Sequence, residues 1–186
     1  MGPTLFRSTL FLAVSAYLFL LSRNSLRRVG SHGFYRFFAW ESILALVLLN
    51  SRSWFADPLS AVQIISWSFL ALSLLLLVRG VDMLRRSGKA GKGRHDESLF
   101  PFEQTTALVT TGIYRHIRHP LYGSLLFLGW GAFLKDISLS SAGLAAVATA
   151  SLIATAKADE AECAGYFGQP YRDYMRKSKM FIPYLF

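Results

Sequence analysis

The chain has 186 residues, of which 53% are hydrophobic and 17% charged, a composition too apolar for an ordinary soluble domain of this size. Its single cysteine, Cys163, excludes an intramolecular disulfide and a cysteine-based metal cluster, and no metal is expected. The expectation is an all-α, polytopic membrane protein in which residues 1–186 form one integral membrane domain.

Leu5 to Leu21 is apolar apart from Arg7 and two serines, long enough for a first span. No basic region precedes it and no small-residue cleavage site follows, so it reads as a retained span. Gly2 lacks the downstream Ser or Thr of a myristoylation signal, and Tyr-Leu-Phe at the end is no prenylation box, so no lipid anchor is expected. Arg23, Arg27, Arg28 and Arg36 crowd a short loop before a second span at Phe37–Leu49. Glu41, near the start of that span, is expected at a solvated interfacial position. Asn50 to Pro58 is rich in turn residues and carries Trp54, placed like an interfacial anchor. Leu59 to Val78 reads as a third span.

Between Arg79 and Glu103 the composition turns to Arg, Lys, Gly and Asp, which predicts one long basic loop. Gly88 to His95 is not a phosphate loop, because Arg94 and His95 stand where Lys and Ser or Thr are needed and no strand precedes it. Residues 1–100 thus hold three spans and the loop. The second half, 104–186, holds a predicted helical hairpin, Leu121–Leu134 and Ile137–Ala156, joined at Lys135-Asp136, for about five transmembrane helices in all. Gly168 ends a helix, and Pro170 starts a short amphipathic one through Lys177, with Tyr171, Tyr174 and Met175 on its apolar side at the cytoplasmic interface.

Alternate connections differ in charge. The loops after spans one and three and the C-terminal tail hold nearly all of the 20 Lys and Arg, which predicts the N-terminus outside and the C-terminus in the cytoplasm. The same distribution accounts for the net charge of +9 through contact with anionic membrane lipids, and excludes nucleic acid as the partner.

Polar chemistry concentrates between Leu108 and Tyr122, directly against the apolar run that begins at Leu121. Pro120 suits the first turn of a helix, with His119 at its N-cap. The free amides there and Arg118 would together receive an anion. The alternative is a cationic flank that only fixes the span's position.

Gly112-Ile113-Tyr114 followed by Arg118-His119-Pro120-Leu121-Tyr122 resembles the signature of the isoprenylcysteine carboxyl methyltransferase family and its phospholipid and thiol methyltransferase relatives. The second half of that signature is matched by Asp159-Glu160, Phe167-Gly168, Tyr171, Tyr174 and Ile182-Pro183. The resemblance implies S-adenosyl-L-methionine as cofactor, in contact with Leu108, Val109, Tyr114, His119, Pro120, Leu121, Tyr122, Asp159 and Glu160. It further implies catalytic roles for Arg118, His119 and Glu160, and a lipophilic small-molecule or prenylated methyl acceptor.

The implied reaction is in-line methyl transfer, which depends on holding the nucleophile close and dry. A carboxylate acceptor needs no base, whereas an amine or thiol could lose its proton to His119 or an acidic residue. Prenylcysteine-methylating members carry an arginine about one turn before the acidic pair, where this chain has Thr155; Lys157 lies about 200° around the helix. The acceptor therefore stays open among carboxylate, amine and thiol. Two other classes stand beside this reading: an NADPH-dependent membrane sterol reductase, which shares Arg-His-Pro-x-Tyr, and a non-catalytic membrane scaffold. Tyr171 and Tyr174 read equally as interface anchors, His116 as a solvated loop residue, and Cys163 as a small buried hydrophobe.

Overall fold

Serines begin three of the helices by accepting amide hydrogen bonds that the first turn leaves unpaired. Ser31 Oγ accepts from Phe34 N at 3.2 Å and Ser60 Oγ from Gln63 N at 3.4 Å. Ser138 and Ser141 bond reciprocally in a capping box. The computed structural model describes residues 3–88 and 105–184. Most of the expected basic loop, 89–104, lies outside the described residues. In chain order the helices are α1 (Pro3–Leu26), α2 (His32–Leu49), α3 (Ala61–Ser87), α4 (Pro120–Phe133), α5 (Leu139–Phe167) and α6 (Gln169–Lys177), with a 3-10 turn at Gly112–Arg115 before α4.

Three helices, α1, α3 and α5, are long and apolar enough to cross a membrane. At 1.5 Å per residue, the 18 residues of α2 and the 14 of α4 reach roughly 27 and 21 Å, less than a hydrocarbon core of roughly 30 Å.

Small side chains set the packing. Along α2, Ala39, Ile43 and Leu46 meet Ala145, Ala148, Leu152 and Ala156 of α5, and alanines let two apolar helices approach closely. Between α3 and α4 the same part falls to glycine: a Cβ on Gly80 would lie 2.9 Å from Leu121, and one on Gly131 would lie 2.9 Å from Leu70. The peripheral helix α1 leans on α2 through Phe19 and Phe37.

The α2–α3 and α4–α5 connections are locked together at one end of the bundle. Asn50, buried at the end of α2, donates from Nδ2 to Ala132 O at 2.9 Å and Asp136 O at 3.2 Å. Lys135 Nζ donates to Gln63 Oε1 at 3.0 Å and sits 3.5 Å from the centre of the Trp67 ring. The polar turn at Lys135 is therefore buried, and that burial lowers its pKa. Trp54 packs edge-on to Trp67 in this cluster.

Two expectations need correction. Helix α3 does not stop near Val78 but continues to Ser87, because Gly80 is covered by Leu121 and Arg86 pairs with Asp82 one turn back at 2.7 Å. Helix α5 ends at Phe167 against the cap Gly168, as the sequence predicts, so Asp159 and Glu160 ride on the same rigid rod as the apolar segment. Glu41 is mid-helix rather than near a start, since α2 begins at His32. Its carboxylate accepts from Ser15 Oγ of α1 at 2.8 Å, and its other oxygen is buried without a hydrogen-bond partner among the described residues.

Replacing Asn50 with alanine removes two buried hydrogen bonds that join the end of α2 to the α4–α5 turn, while Ala132 O still accepts from Lys135 N and Asp136 O from Ser141 Oγ. The expected loss is about 1–3 kcal/mol of stability, read as a lower unfolding midpoint of the detergent-solubilised chain. An unchanged midpoint would mean that the remaining bonds from Lys135 N and Ser141 Oγ hold the turn without Asn50.

Candidate functional site

The segment from Gly112 to Tyr122 is held from three sides. Gly112 turns the chain with φ +59°, a conformation that other residues adopt at a cost. Tyr114, buried behind it, gives its carbonyl to Tyr174 Oη of α6 at 2.6 Å and turns its own hydroxyl toward Gly80 O of α3 at 3.5 Å. Residues 179–181 then return along the segment. Arg118 N donates to Lys179 O at 2.7 Å, His119 N to Met180 O at 3.1 Å and Lys179 N to His116 O at 3.0 Å, forming a short parallel bridge at Ile117 and Lys179.

His119 is the N-cap of α4 and Pro120 its first residue, as the sequence predicts. The anion cradle expected there differs in two respects. The amides of Arg118 and His119 are engaged by the C-terminal segment, and the side chains of both residues are engaged by carboxylates of α5. Arg118 Nε donates to Glu160 Oε1 at 2.7 Å, while its NH1 donates to Met175 O at 3.1 Å and to Ser178 O. His119 faces Glu160 through Nε2 at 3.3 Å and Asp159 through Nδ1 at 3.5 Å. Burial disfavours a charged His119, but hydrogen bonds to Asp159 and Glu160 outweigh it and raise its pKa above the usual imidazole value. The imidazole stacks on Tyr122 at 5.4 Å and lies tilted against Phe181.

Around this cluster lies a pocket of about 650 Å³, partly open to solvent. Its walls bring together Leu108, Val109, Tyr114, Arg118, His119, Pro120, Leu121, Tyr122 and Asp159. Glu160 is not in the wall; its carboxylate turns to Arg118 and His119 instead. Asp159 is therefore the acidic side chain that the pocket presents among the described residues. Cys163, Phe167, Tyr171 and Tyr174 complete the wall from α5 and α6, with Leu84 of α3 and Thr105 closing it. Cys163 is buried with Sγ 3.5 Å from Asp159 Oδ1. Burial raises the pKa values of Tyr171 and Tyr174, keeping both as neutral phenols. Phe167 and Tyr171 stack at 6.4 Å.

Tyr171 and Tyr174 fall at i and i+3 on α6, a helical spacing that carried a readable signal for a shared face, whereas Phe167 lies on α5 beyond the break at Gly168. Leu84 was obscured because its stretch resembles a loop. His32 and Glu162 carried no signal at all, being 130 residues apart. His32, wholly buried, sits with Nδ1 2.5 Å from Glu162 Oε2, and its amide donates to Glu162 Oε1 at 3.2 Å. Donor atoms of His32, Asp159 and Glu162 gather within 4.8 Å. The 2.5 Å contact is a direct hydrogen bond, closer than the roughly 3.3 Å that separates two ligands around a tetrahedral zinc ion.

Thr155 is buried and bonds Ser151 O at 2.7 Å on its own helix, whereas Lys157 is exposed. His116 is exposed on the outer side of the loop. Searches found no family model, no curated protein and no solved structure that matches the chain.

Proposed function

We propose that the chain is a membrane methyltransferase that uses S-adenosyl-L-methionine and delivers the methyl group to an acceptor with an apolar tail. The observation that carries this reading is convergence. Residues of the two signature halves, about 40 positions apart, surround one pocket, with Arg118 and Glu160 in contact at 2.7 Å. The pocket chemistry suits that cofactor: Asp159 for the ammonium, the faces of Tyr122, Phe167 and Tyr171 for the sulfonium, and Arg118 with His119 for the carboxylate. The bound cofactor would supply an activated methyl group.

The residues of the chain then have positioning and electrostatic work. Arg118, held by two carbonyls and Glu160, fixes the turn that carries His119. His119 shares its protons between Asp159 and Glu160, so the cluster can accommodate a charged ligand without leaving a buried charge unpaired. For an amine or thiol acceptor, Asp159 is the carboxylate base within reach. A polyanionic dinucleotide fits less well, because the two cations Arg118 and His119 are matched by Asp159 and Glu160, and a ligand with charge of one sign alone would leave those carboxylates without partners. The reductase reading is set aside on that ground.

We further propose five crossings, with the N-terminus outside and the C-terminus cytoplasmic. The locked end at Asn50 and Lys135 then lies at the outer face. Helix α4, roughly 21 Å long, cannot span roughly 30 Å of hydrocarbon, so its start lies about 9 Å inside the cytoplasmic boundary. The pocket is thereby sunk to a depth where lipid-dissolved molecules can enter sideways.

In a binding titration, the solubilised chain should take up S-adenosyl-L-methionine and ignore NADPH. Glu160→Gln or His119→Ala should weaken uptake by about 2–5 kcal/mol; equal affinity in folded variants would remove both residues from the site. Cysteine labelling of intact cells should reach position 53 (Ser53→Cys) and not position 177 (Lys177→Cys), and the reverse pattern would overturn the orientation. With labelled cofactor, acceptors bearing a long alkyl or prenyl tail should be methylated with higher kcat/KM than matched water-soluble ones. Equal values would show entry from the cytoplasm.

A further inference from the structure

His32 and Glu162 lie behind Asp159, outside the pocket wall, and the function just proposed gives them no role. Their geometry ties them to it. Glu162 is on α5 one turn beyond Asp159, and its two oxygens hold the amide and the ring of His32. The donor atoms of His32, Asp159 and Glu162 fall within 4.8 Å of one another, and Asp159 faces His119 on its other side. Asp159 thus stands between two imidazoles. The only other charged side chain that α2 brings to bear on His32 among the described residues is Arg36, which lies over the Trp40 ring. Arg118 pairs with Glu160, His119 lies between Glu160 and Asp159, and Glu162 is the carboxylate that occupies His32.

We propose that the His32–Glu162 pair determines specificity for a cationic ligand, by setting how much of the Asp159 charge is left for the pocket. This rests on the cofactor reading above. While Glu162 neutralises His32, Asp159 attracts a sulfonium or ammonium group. Without Glu162, the His32 ring N–H is left with Asp159 as the carboxylate within reach and competes with the ligand for it. The pair thereby links α2, from the half of the chain without signature residues, to cofactor choice.

The two positions have opposite signs, which a purely structural role does not produce. In equilibrium binding, Glu162→Gln, which keeps a side-chain acceptor for the α2 amide, should weaken S-adenosyl-L-methionine on the order of three- to tenfold. His32→Gln, which removes a positive charge, should tighten it about two- to fivefold. The double variant should return to within about twofold of the parent, the signature of direct coupling. S-adenosylhomocysteine, whose sulfur is uncharged, should respond less than the sulfonium in every variant. If the parent binds the cofactor but both single variants weaken it, or neither changes it, the charge-setting role is overturned while the methyltransferase reading stands. If the parent binds no S-adenosyl-L-methionine, both fall. Should Glu162→Gln not fold, the sign of the His32→Gln effect decides alone: tightening supports the role, and loosening or no change overturns it.

Discussion

The contact between Arg118 Nε and Glu160 Oε1, 2.7 Å across 42 residues of sequence, is the interaction on which the rest of the site depends. Both side chains are only 11% exposed, and a charge held this far from water is tolerated only when it is paired and hydrogen-bonded. The guanidinium meets that requirement by also reaching Met175 O and Ser178 O at the end of α6. One side chain therefore fixes the motif loop, the acidic turn of α5 and the exit from α6 relative to each other. Removing either partner would leave the other buried and unpaired, a loss of about 3–5 kcal/mol.

Pairing within the cluster also changes how the pocket meets a ligand. Separate anion and cation subsites would leave Arg118 and Asp159 free to receive charges. In the folded chain the groups already satisfy one another, and an incoming zwitterion exchanges partners with them. Such exchange costs less desolvation than burying fresh charges, and it favours a ligand that carries both signs over one that carries only negative charge. The aromatic faces of Tyr122, Phe167 and Tyr171 supply attraction for a cation that needs no exchange at all.

Much of the helical scaffold was legible because its signals are local. Apolar runs of sufficient length mark α1, α3 and α5, and Pro120 marks the start of α4. The glycine at 168, with φ +65°, marks the break before α6. What escaped depends on partners distant in sequence. Arg79 to Ser87 looks like the beginning of a loop until Leu121 is seen to cover Gly80. Glu41 looks interfacial until α2 is found to begin at His32. The residues that resemble a methyltransferase signature named most of one pocket wall, yet nothing local tells that Glu160 turns away from the pocket to Arg118. Nor does anything local tell that His32 comes to lie beside Asp159.

The short bridge between Ile117 and Lys179 has a consequence for the order of events during synthesis. Helices inserted one after another can pack as they emerge, since their contacts lie between neighbouring or already completed segments. The motif loop cannot finish its hydrogen bonding until residues 179–181 have left the ribosome, because the acceptors for Arg118 N and His119 N, and the Phe181 ring beside His119, lie there. Until then the loop exposes unpaired amides and an uncovered imidazole. The loop between Gly112 and Tyr122 is thus completed by residues about 60 positions further along the chain, after the helices that precede them.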